Sequence, residues 1–399
     1  MAAREDAAPR ALVVGAREAG APVWTTRVTT DLAGLRDLRV DLDRLYRADG
    51  RAMPFLAPGW LEAWWAVYGR RGRLRLVTVW EDGVLRAAAP FHEVRRLGAR
   101  VLAPVGGSLA DHTDVLLDGA SDGAVPALVG ALRDLADVVD LPEVPPGANV
   151  RRLAEVWPRP LLARPSSTTA QLPARPVEEI VAGFPSRTRG HRRRELRSVA
   201  AAAVHHRELR PDEVGGGVAR LLALHREAWA HRTITLEHTR PRFADFLTRA
   251  TRALVRSGDA ALVEHRVGDD VVAVELVLLG RDAAGGYLYG HRPELRDTLN
   301  VTAMLLAADL SAAADRGLAT FSMLRGGEAY KDHWHPQTVR HERLVLPLRG
   351  TRRAAVYLHA VRASSLARER LREDARCRAA VARLRSARRA VGGVGHGPR

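Results

Sequence analysis

Two strand–turn–strand ribbons, one in each half of the chain, constrain its fold more than any other feature. The first joins 74–80 (LRLVTVW) to 84–94 through Glu81-Asp82-Gly83, and the second joins 260–267 to 271–279 through Gly268-Asp269-Asp270. Both are rich in β-branched and apolar residues and both break at a Gly/Asp turn, which is hairpin chemistry. Their surroundings repeat as well. In the first half, helical patterns at 41–69 precede the ribbon, and strands at 101–105 and 115–117 and a helix at 124–139 follow it. In the second half, amphipathic helices at 214–231 and 241–257 precede the ribbon. A strand at 286–290, a helix at 300–316 and strands at 319–324 and 339–348 follow it. The repeat is one of pattern and not of identical residues, and 399 residues is a two-domain length. The expectation is an α/β chain with mixed central sheets: a loose tail over 1–21, domains over 22–165 and 166–350, and a basic helical extension over 351–399. The prolines between Pro142 and Pro176 read as the interdomain connection. Trp60, Trp64 and Trp65 fall at helical spacing and read as core.

A hydrophobic share of 46% is enough to build real cores. Cys377 is the only cysteine, so no internal disulfide can form. The N-terminus carries Glu5 and Asp6 without a signal-peptide core, and the longest apolar runs, such as 271–279 interrupted by Glu275, are too short to span a bilayer. The expected location is the cytoplasm; the oligomeric state is not readable. The net charge of +16 is local. Residues 351–399 hold 13 Arg against Glu369, Glu373 and Asp374, and 187–197 (RTRGHRRRELR) holds six Arg against Glu195. Local positive charge attracts phosphate, whether in coenzyme A, a nucleotide sugar, tRNA or a membrane surface. A solvated helix face and a basic tail are the plain alternative.

The chain has 61 Arg and a single Lys, Lys331, with two Ile and two Asn. Lys, Asn and Ile have AT-rich codons, so a GC-rich genome explains the bias. The surviving Lys is a candidate for a place where a wide, permanently charged guanidinium cannot replace a compact ammonium; the plain alternative is that one Lys survived by chance.

Lys331 lies in 326–334 (GGEAYKDHW). The run ATFSMLRGGEAYKDHW, with Phe321, Arg325, Gly326, Glu328, Tyr330, Lys331 and Trp334, resembles the closing motif of the FemAB/CelD-like acyltransferases of the GNAT superfamily. RGHRRRELR resembles the basic helix that opens their catalytic half, and ADHTDVLLDG a short acidic segment of the first half. The resemblance implies two tandem GNAT-like domains transferring an acyl or aminoacyl group to an amine on a small molecule or an envelope precursor. It implies acetyl-CoA or another acyl-CoA as co-substrate, or an acyl carrier protein or aminoacyl-tRNA in other branches. It also makes Arg325, Gly326, Gly327, Trp334 and Asp111 candidate substrate-binding residues.

The chemistry assigns further roles. An amine must be neutral to attack a carbonyl, and Glu275, a lone carboxylate in the apolar run VVAVELVLLG, is a candidate base. Lys331 is a candidate for stabilising the oxyanion, Tyr330 for donating a proton to the leaving group, and Glu328 for positioning Lys331 or the acceptor. Each has a bland reading too: an edge acid, a packing aromatic, a surface carboxylate. Arg187, Arg189, Arg192, Arg193 and Arg197 are candidate phosphate ligands, several on one helix face. Asn300 is placed to cap the helix it precedes and to leave N–H groups for an anion. Asp111-His112-Thr113-Asp114 and His333-Trp334-His335 lack a second ligand pair at metal-site spacing, so no metal is expected. A non-catalytic nucleic-acid binder using the basic regions remains the alternative from another class.

Overall fold

The computed structural model describes residues 12–13, 22–119, 121–230, 235–326 and 328–373. Gly327, Cys377, nearly all of the expected tail and the last part of the basic extension lie outside the described residues.

Both ribbons form, and each sits in the same local plan. In the first half, Trp24–Thr29, Leu74–Glu81, Val84–Arg96 and Ala99–Pro104 pair antiparallel in sequence order, and Val138–Val144 then joins parallel to Ala99–Pro104. In the second half, His205–Glu208, Ala260–Val267, Asp270–Leu279 and Ala283–His291 pair antiparallel, and Thr320–Arg325 joins parallel to Ala283–His291. Asp82 at φ 48° and Gly83 at φ 79° give the first hairpin the left-handed pair that matches strand twist. The turn of the second is Gly268-Asp269, since Val267 already faces Asp270.

The halves are joined by exchanged strands. Leu162–Pro173 leaves the first half and pairs with Thr320–Arg325 of the second. Gln337–Pro347 ends the second half and pairs with Val138–Val144 of the first. These two strands also pair with each other along most of their length, from Gln337↔Gln171 to Val345↔Leu162, so all the strands form one continuous sheet. The expected boundary at 165/166 therefore falls inside a strand. The proline-rich stretch is not a plain linker: it holds the end of one strand, the helix Val150–Glu155 and all of Leu162–Pro173. Its prolines obey strand rules. Pro173 ends its strand, and Pro165 faces Glu342 beside a register shift, where a missing N–H is tolerated. A second correction follows from the same region. The helix expected over 124–139 stops at Leu132, because Val138 and Val139 are needed as buried strand residues.

One face of the sheet is covered by helices from both halves. Pro58–Tyr68 packs on Pro241–Ser257, and Trp60 meets Phe246 edge-on at 5.0 Å. The Trp stripe is core, as its spacing indicated. The other face carries Ala124–Leu132 on the first half and Val177–Ala182, Ser186–Ala201 and Val301–Asp315 on the second. The start of the basic extension is a helix, Arg352–Glu373, that docks Ala354, Tyr357 and Val361 against Val101, Val138 and Val345. Among the described residues no helix is long and apolar enough to cross a membrane.

Asp140 ties these parts together. Buried at 1% exposure, it accepts two hydrogen bonds from Arg343 (2.7 and 2.6 Å), one from Tyr357 (2.6 Å) and one from Arg96 (3.1 Å). Removing one partner of a buried charge pair strands the other. Asp140→Ala is expected to cost about 3–5 kcal/mol. Because the halves share strands, denaturation should remain one cooperative transition at a lower midpoint. Two separated transitions, only one of them displaced, would contradict the shared-strand account.

Candidate active site

The site lies where the sheet of the second half opens. Ala283–His291 and Thr320–Arg325 pair parallel only from Ala283↔Thr320 to Gly285↔Ser322. Just beyond, the register of Ala283–His291 against Asp270–Leu279 slips by one residue, since Leu276 faces Leu288 while Val277 faces Gly286. The extra residue, Tyr287, bulges, and such bulges re-aim side chains beside active sites. Its hydroxyl donates to Leu109 O in the first half at 3.1 Å.

Three cavities meet at this opening. A groove of about 760 Å³ is lined by His191, Arg194, Glu195 and Ser198 of the basic helix, by Arg296, and by 297–302 at the start of Val301–Asp315. A second, of about 530 Å³, is lined by Ser108 and Asp111 from the first half and by Trp229, Glu237, Tyr287, Arg325, Gly326 and Glu328 from the second. A pocket of about 50 Å³ below them is lined by Glu275, Asp309, Gly286 and Phe321. Tyr289 and Tyr330 line all three cavities, and their hydroxyls hydrogen-bond to each other. Burial, reinforced by Tyr289, raises the Tyr330 phenol above its ordinary pKa, so it holds its proton. Tyr289 and Asp309 were missed in the sequence, where a tyrosine in a strand and an acid in an apolar helix look like packing and surface.

The motif residues are divided by the structure. Tyr330 lies in the short helix Ala329–Asp332. Lys331 is 4% exposed, and its Nζ lies 2.9 Å from Glu328 Oε2 while it donates to the carbonyls of Leu324 (3.3 Å), Arg325 (3.2 Å) and Gly326 (3.4 Å). An ammonium has three protons to give, and Lys331 directs them at the turn carbonyls and Glu328 while also bordering the second groove. Here lies the reason arginine did not replace it: the cage fits a point charge and not a fork. Glu328 is Lys331's counter-ion, as one of its two expected roles required. Gly326 sits at φ 133°, and a Cβ there would collide with the Glu328 carboxylate. Trp334 is 1% exposed in the apolar core, with the Arg192 guanidinium 5.4 Å from its ring centroid. It is a packing residue and not a substrate contact.

Arg325 and Asp111 both reach the second groove, but they face each other. Asp111 accepts from the Arg325 N–H (3.1 Å) and from its Nε, and Arg325 also donates to Ser108 O (2.8 Å). Burial works against the Arg325 charge, but Asp111 and Glu143 outweigh it and hold its pKa high. The pair is thus a latch between halves that forms one groove wall. Behind it, Glu143 accepts from Ser166 (2.8 Å) and Ser167. Burial alone would raise its pKa, but His341, these serines and Arg325 pull it down to about 2.

Of the five arginines expected as phosphate ligands, the structure places none in the groove wall, although their helix borders it. Ser186–Ala201 turns His191, Arg194, Glu195 and Ser198 to the first groove. Arg187, Arg193 and Arg197 point to solvent, Arg189 donates to Ala182 O at 3.2 Å, and Arg192 is buried against Glu195 and Trp334. None of the five lines the groove; Arg194 does. Asn300 caps its helix through Ala303 N (3.0 Å) and donates to Glu195 (2.7 Å). It shapes the groove end, while the first-turn N–H groups beyond it have no partner within the helix. Glu275, at 3% exposure, is buried and not an edge residue. Among the described residues no cluster of three or more His, Cys, Asp or Glu could hold a metal.

Lys331→Met is expected to lower stability by about 2–4 kcal/mol by leaving Glu328 and the turn carbonyls without their cation. Lys331→Arg should not restore it, and thermal melts of both variants check this. A Lys331→Arg melt equal to that of the parent would refute the cage.

Comparison with known proteins agrees with this geometry. Residues 186–332 match the family model described as the acetyltransferase (GNAT) domain. No curated protein matches the chain in sequence. Among solved structures, FemX is similar over 76% of this chain and 95% of its own, at 12% identity and a TM-score of 0.55. The C-terminal domain of a putative lysylphosphatidylglycerol synthetase from Agrobacterium fabrum is similar over 83% and 97%, at 13% identity and a TM-score of 0.51. Residues 186–332 are therefore a GNAT acetyltransferase domain, and the chain that carries it is an acyltransferase with the two-half fold that FemX also has.

Proposed function

We propose that the chain transfers an acyl group from an acyl-CoA-type thioester to a primary amine, with donor and acceptor entering from opposite grooves. The observation that carries this reading is the meeting of two grooves of different character at the Tyr289–Tyr330 hydroxyl pair. The first groove has the start of a fifteen-residue helix, Arg194 and Arg296, which suits the phosphates of a donor. The second groove has aromatic walls and carboxylates, which suit an amine.

In this reading the amine, once neutral, attacks the thioester carbonyl. The C–N bond forms, the tetrahedral intermediate collapses, and the C–S bond breaks. Tyr330, kept protonated by burial, donates to the departing sulfur. Glu275, in the small pocket under both tyrosines, takes the amine proton directly or through one water.

Tyr330→Phe is expected to lower kcat about 100-fold with donor affinity unchanged, the mark of a group acting only in the transition state. Arg194→Ala is expected to weaken donor binding about tenfold. Thermal shift with acetyl-CoA, longer acyl-CoAs and charged tRNA in parallel tests the donor, because a ligand of the native state raises the melting point by mass action. A flat response to every acyl-CoA beside a clear one to charged tRNA would replace the thioester with an aminoacyl ester.

A further inference from the structure

Below the tyrosine pair, Glu275 is joined to a line of titratable groups that acyl transfer as written leaves unused. Asp309, on the helix Val301–Asp315, hydrogen-bonds to Glu275 on the strand Asp270–Leu279. Glu275 Oε2 lies 3.6 Å from Nε2 of His265, which is wholly buried on Ala260–Val267. These two atoms have no hydrogen-bond partner, although both are shut off from solvent. The other ring nitrogen of His265, Nδ1, lies 2.9 Å from Nδ1 of His206. His206 is directly opposite His265 in the edge strand His205–Glu208 and is exposed. The line therefore starts at the pocket of about 50 Å³ that Tyr289 and Tyr330 roof over, and it ends in solvent.

Burying such groups without using them is costly. An orphaned buried polar atom forfeits its hydration without a replacement hydrogen bond, and two carboxylates side by side cannot both ionise. Burial and the Glu275 charge push the Asp309 carboxyl well above its ordinary pKa, so the pair keeps a proton at neutral pH. Burial, with His265 beside it, lowers the His206 pKa to about 4, so His206 is neutral at neutral pH and can accept a proton and release it to water. The groups facing this line are Tyr289 from Ala283–His291 with Arg296 near it, Tyr330 and Glu328 from the motif segment, and His205 from the edge strand. The pocket is large enough for a water bridging Tyr330 and Glu275.

We propose that Glu275, Asp309, His265 and His206 form a proton exit path from the acceptor amine to solvent. This rests on the acyl-transfer reading, because transfer to an ammonium form of the acceptor releases one proton per turnover. The balance is simple. The ammonium gives a proton to the Glu275–Asp309 pair, and the free amine forms the C–N bond as the C–S bond breaks. Tyr330 gives its proton to the departing thiolate and is reprotonated by the second proton, which the amine nitrogen sheds as it becomes an amide, so one proton per turnover remains to be released. The pair passes its extra proton to His265 Nε2, His265 releases one from Nδ1 to His206, and His206 gives it to water. No oxidant or metal is required. Glu275 touches the reacting proton; Asp309, His265 and His206 are relay and positioning residues.

Two measurements test this separately from the activity itself. Histidine nitrogen NMR of the unliganded chain should show a hydrogen bond joining Nδ1 of His265 to Nδ1 of His206, with Asp309→Asn displacing the His265 signals. Absence of that hydrogen bond, with His265 signals insensitive to Asp309→Asn, overturns the path. The second measurement follows thiol release from acetyl-CoA with glucosamine, ethanolamine and lysine as amines. His206→Gln, at an exposed position that should fold, is expected to lower kcat about tenfold, leave the donor KM unchanged and recover with imidazole in the buffer. A kcat equal to the parent's at every pH, or a loss that imidazole does not restore, overturns the path. If the parent itself turns over no acyl donor, the acyl-transfer reading fails alone, and the NMR result still decides whether the histidines and carboxylates share a proton.

Discussion

The mutual pairing of Leu162–Pro173 with Gln337–Pro347 is the constraint on which the rest of the molecule depends. Each half lends the other its last strand, so neither sheet closes without its neighbour. This long-range pairing fixes where Thr320–Arg325 must lie, because Leu162–Pro173 holds its outer edge. With that edge held and the other paired only as far as Gly285↔Ser322, the strand can leave Ala283–His291 and open the site. The latch of Arg325 on Asp111 then brings the first half up as a groove wall. In this arrangement the first half contributes Ser108, Leu109 and Asp111 to the wall of the second groove.

Charge is organised to the same end. A chain with this arginine excess would repel itself if the charges were spread evenly. Instead, arginines gather around buried carboxylates: Arg73, Arg75 and Arg100 around Glu93; Arg207, Arg220 and Arg266 around Glu264; Arg96 and Arg343 around Asp140. The Glu264 and Asp140 clusters join elements distant in sequence, and the Glu93 cluster ties three consecutive strands. The solvent face of the basic helix and the groove-lining Arg194 are different in kind, since they present charge outward or to a cavity.

The sequence was informative wherever a signal was local. The two hairpins, the amphipathic helices and the Trp core follow from turn chemistry and periodicity. The exchanged strands were hidden because prolines make a strand look like a linker, and because pairing partners more than 150 residues apart leave no local trace. For the candidate site, Tyr330 and Glu275 stood out because their neighbourhood was unusual: a Gly turn in one case, an apolar strand in the other, and both line cavities. Lys331 stood out by composition, which does not reveal the carbonyls and carboxylate that surround it. The arginine face was misjudged because RTRGHRRRELR offers charge on every side of the helix, and only packing of Arg192 on Trp334 sets its rotation. Asp309 and His265 could not have been paired with Glu275, since nothing in three separate segments records that they meet.

The central claim is that the donor occupies the groove at the start of Val301–Asp315 and meets the acceptor at the tyrosine pair. Amide hydrogen exchange with and without acetyl-CoA measures this most directly. The account predicts protection confined to 299–303, to the groove face of the basic helix around 191–198, and to 329–332. Protection that appears elsewhere, with these segments unchanged while the ligand is bound, would contradict it.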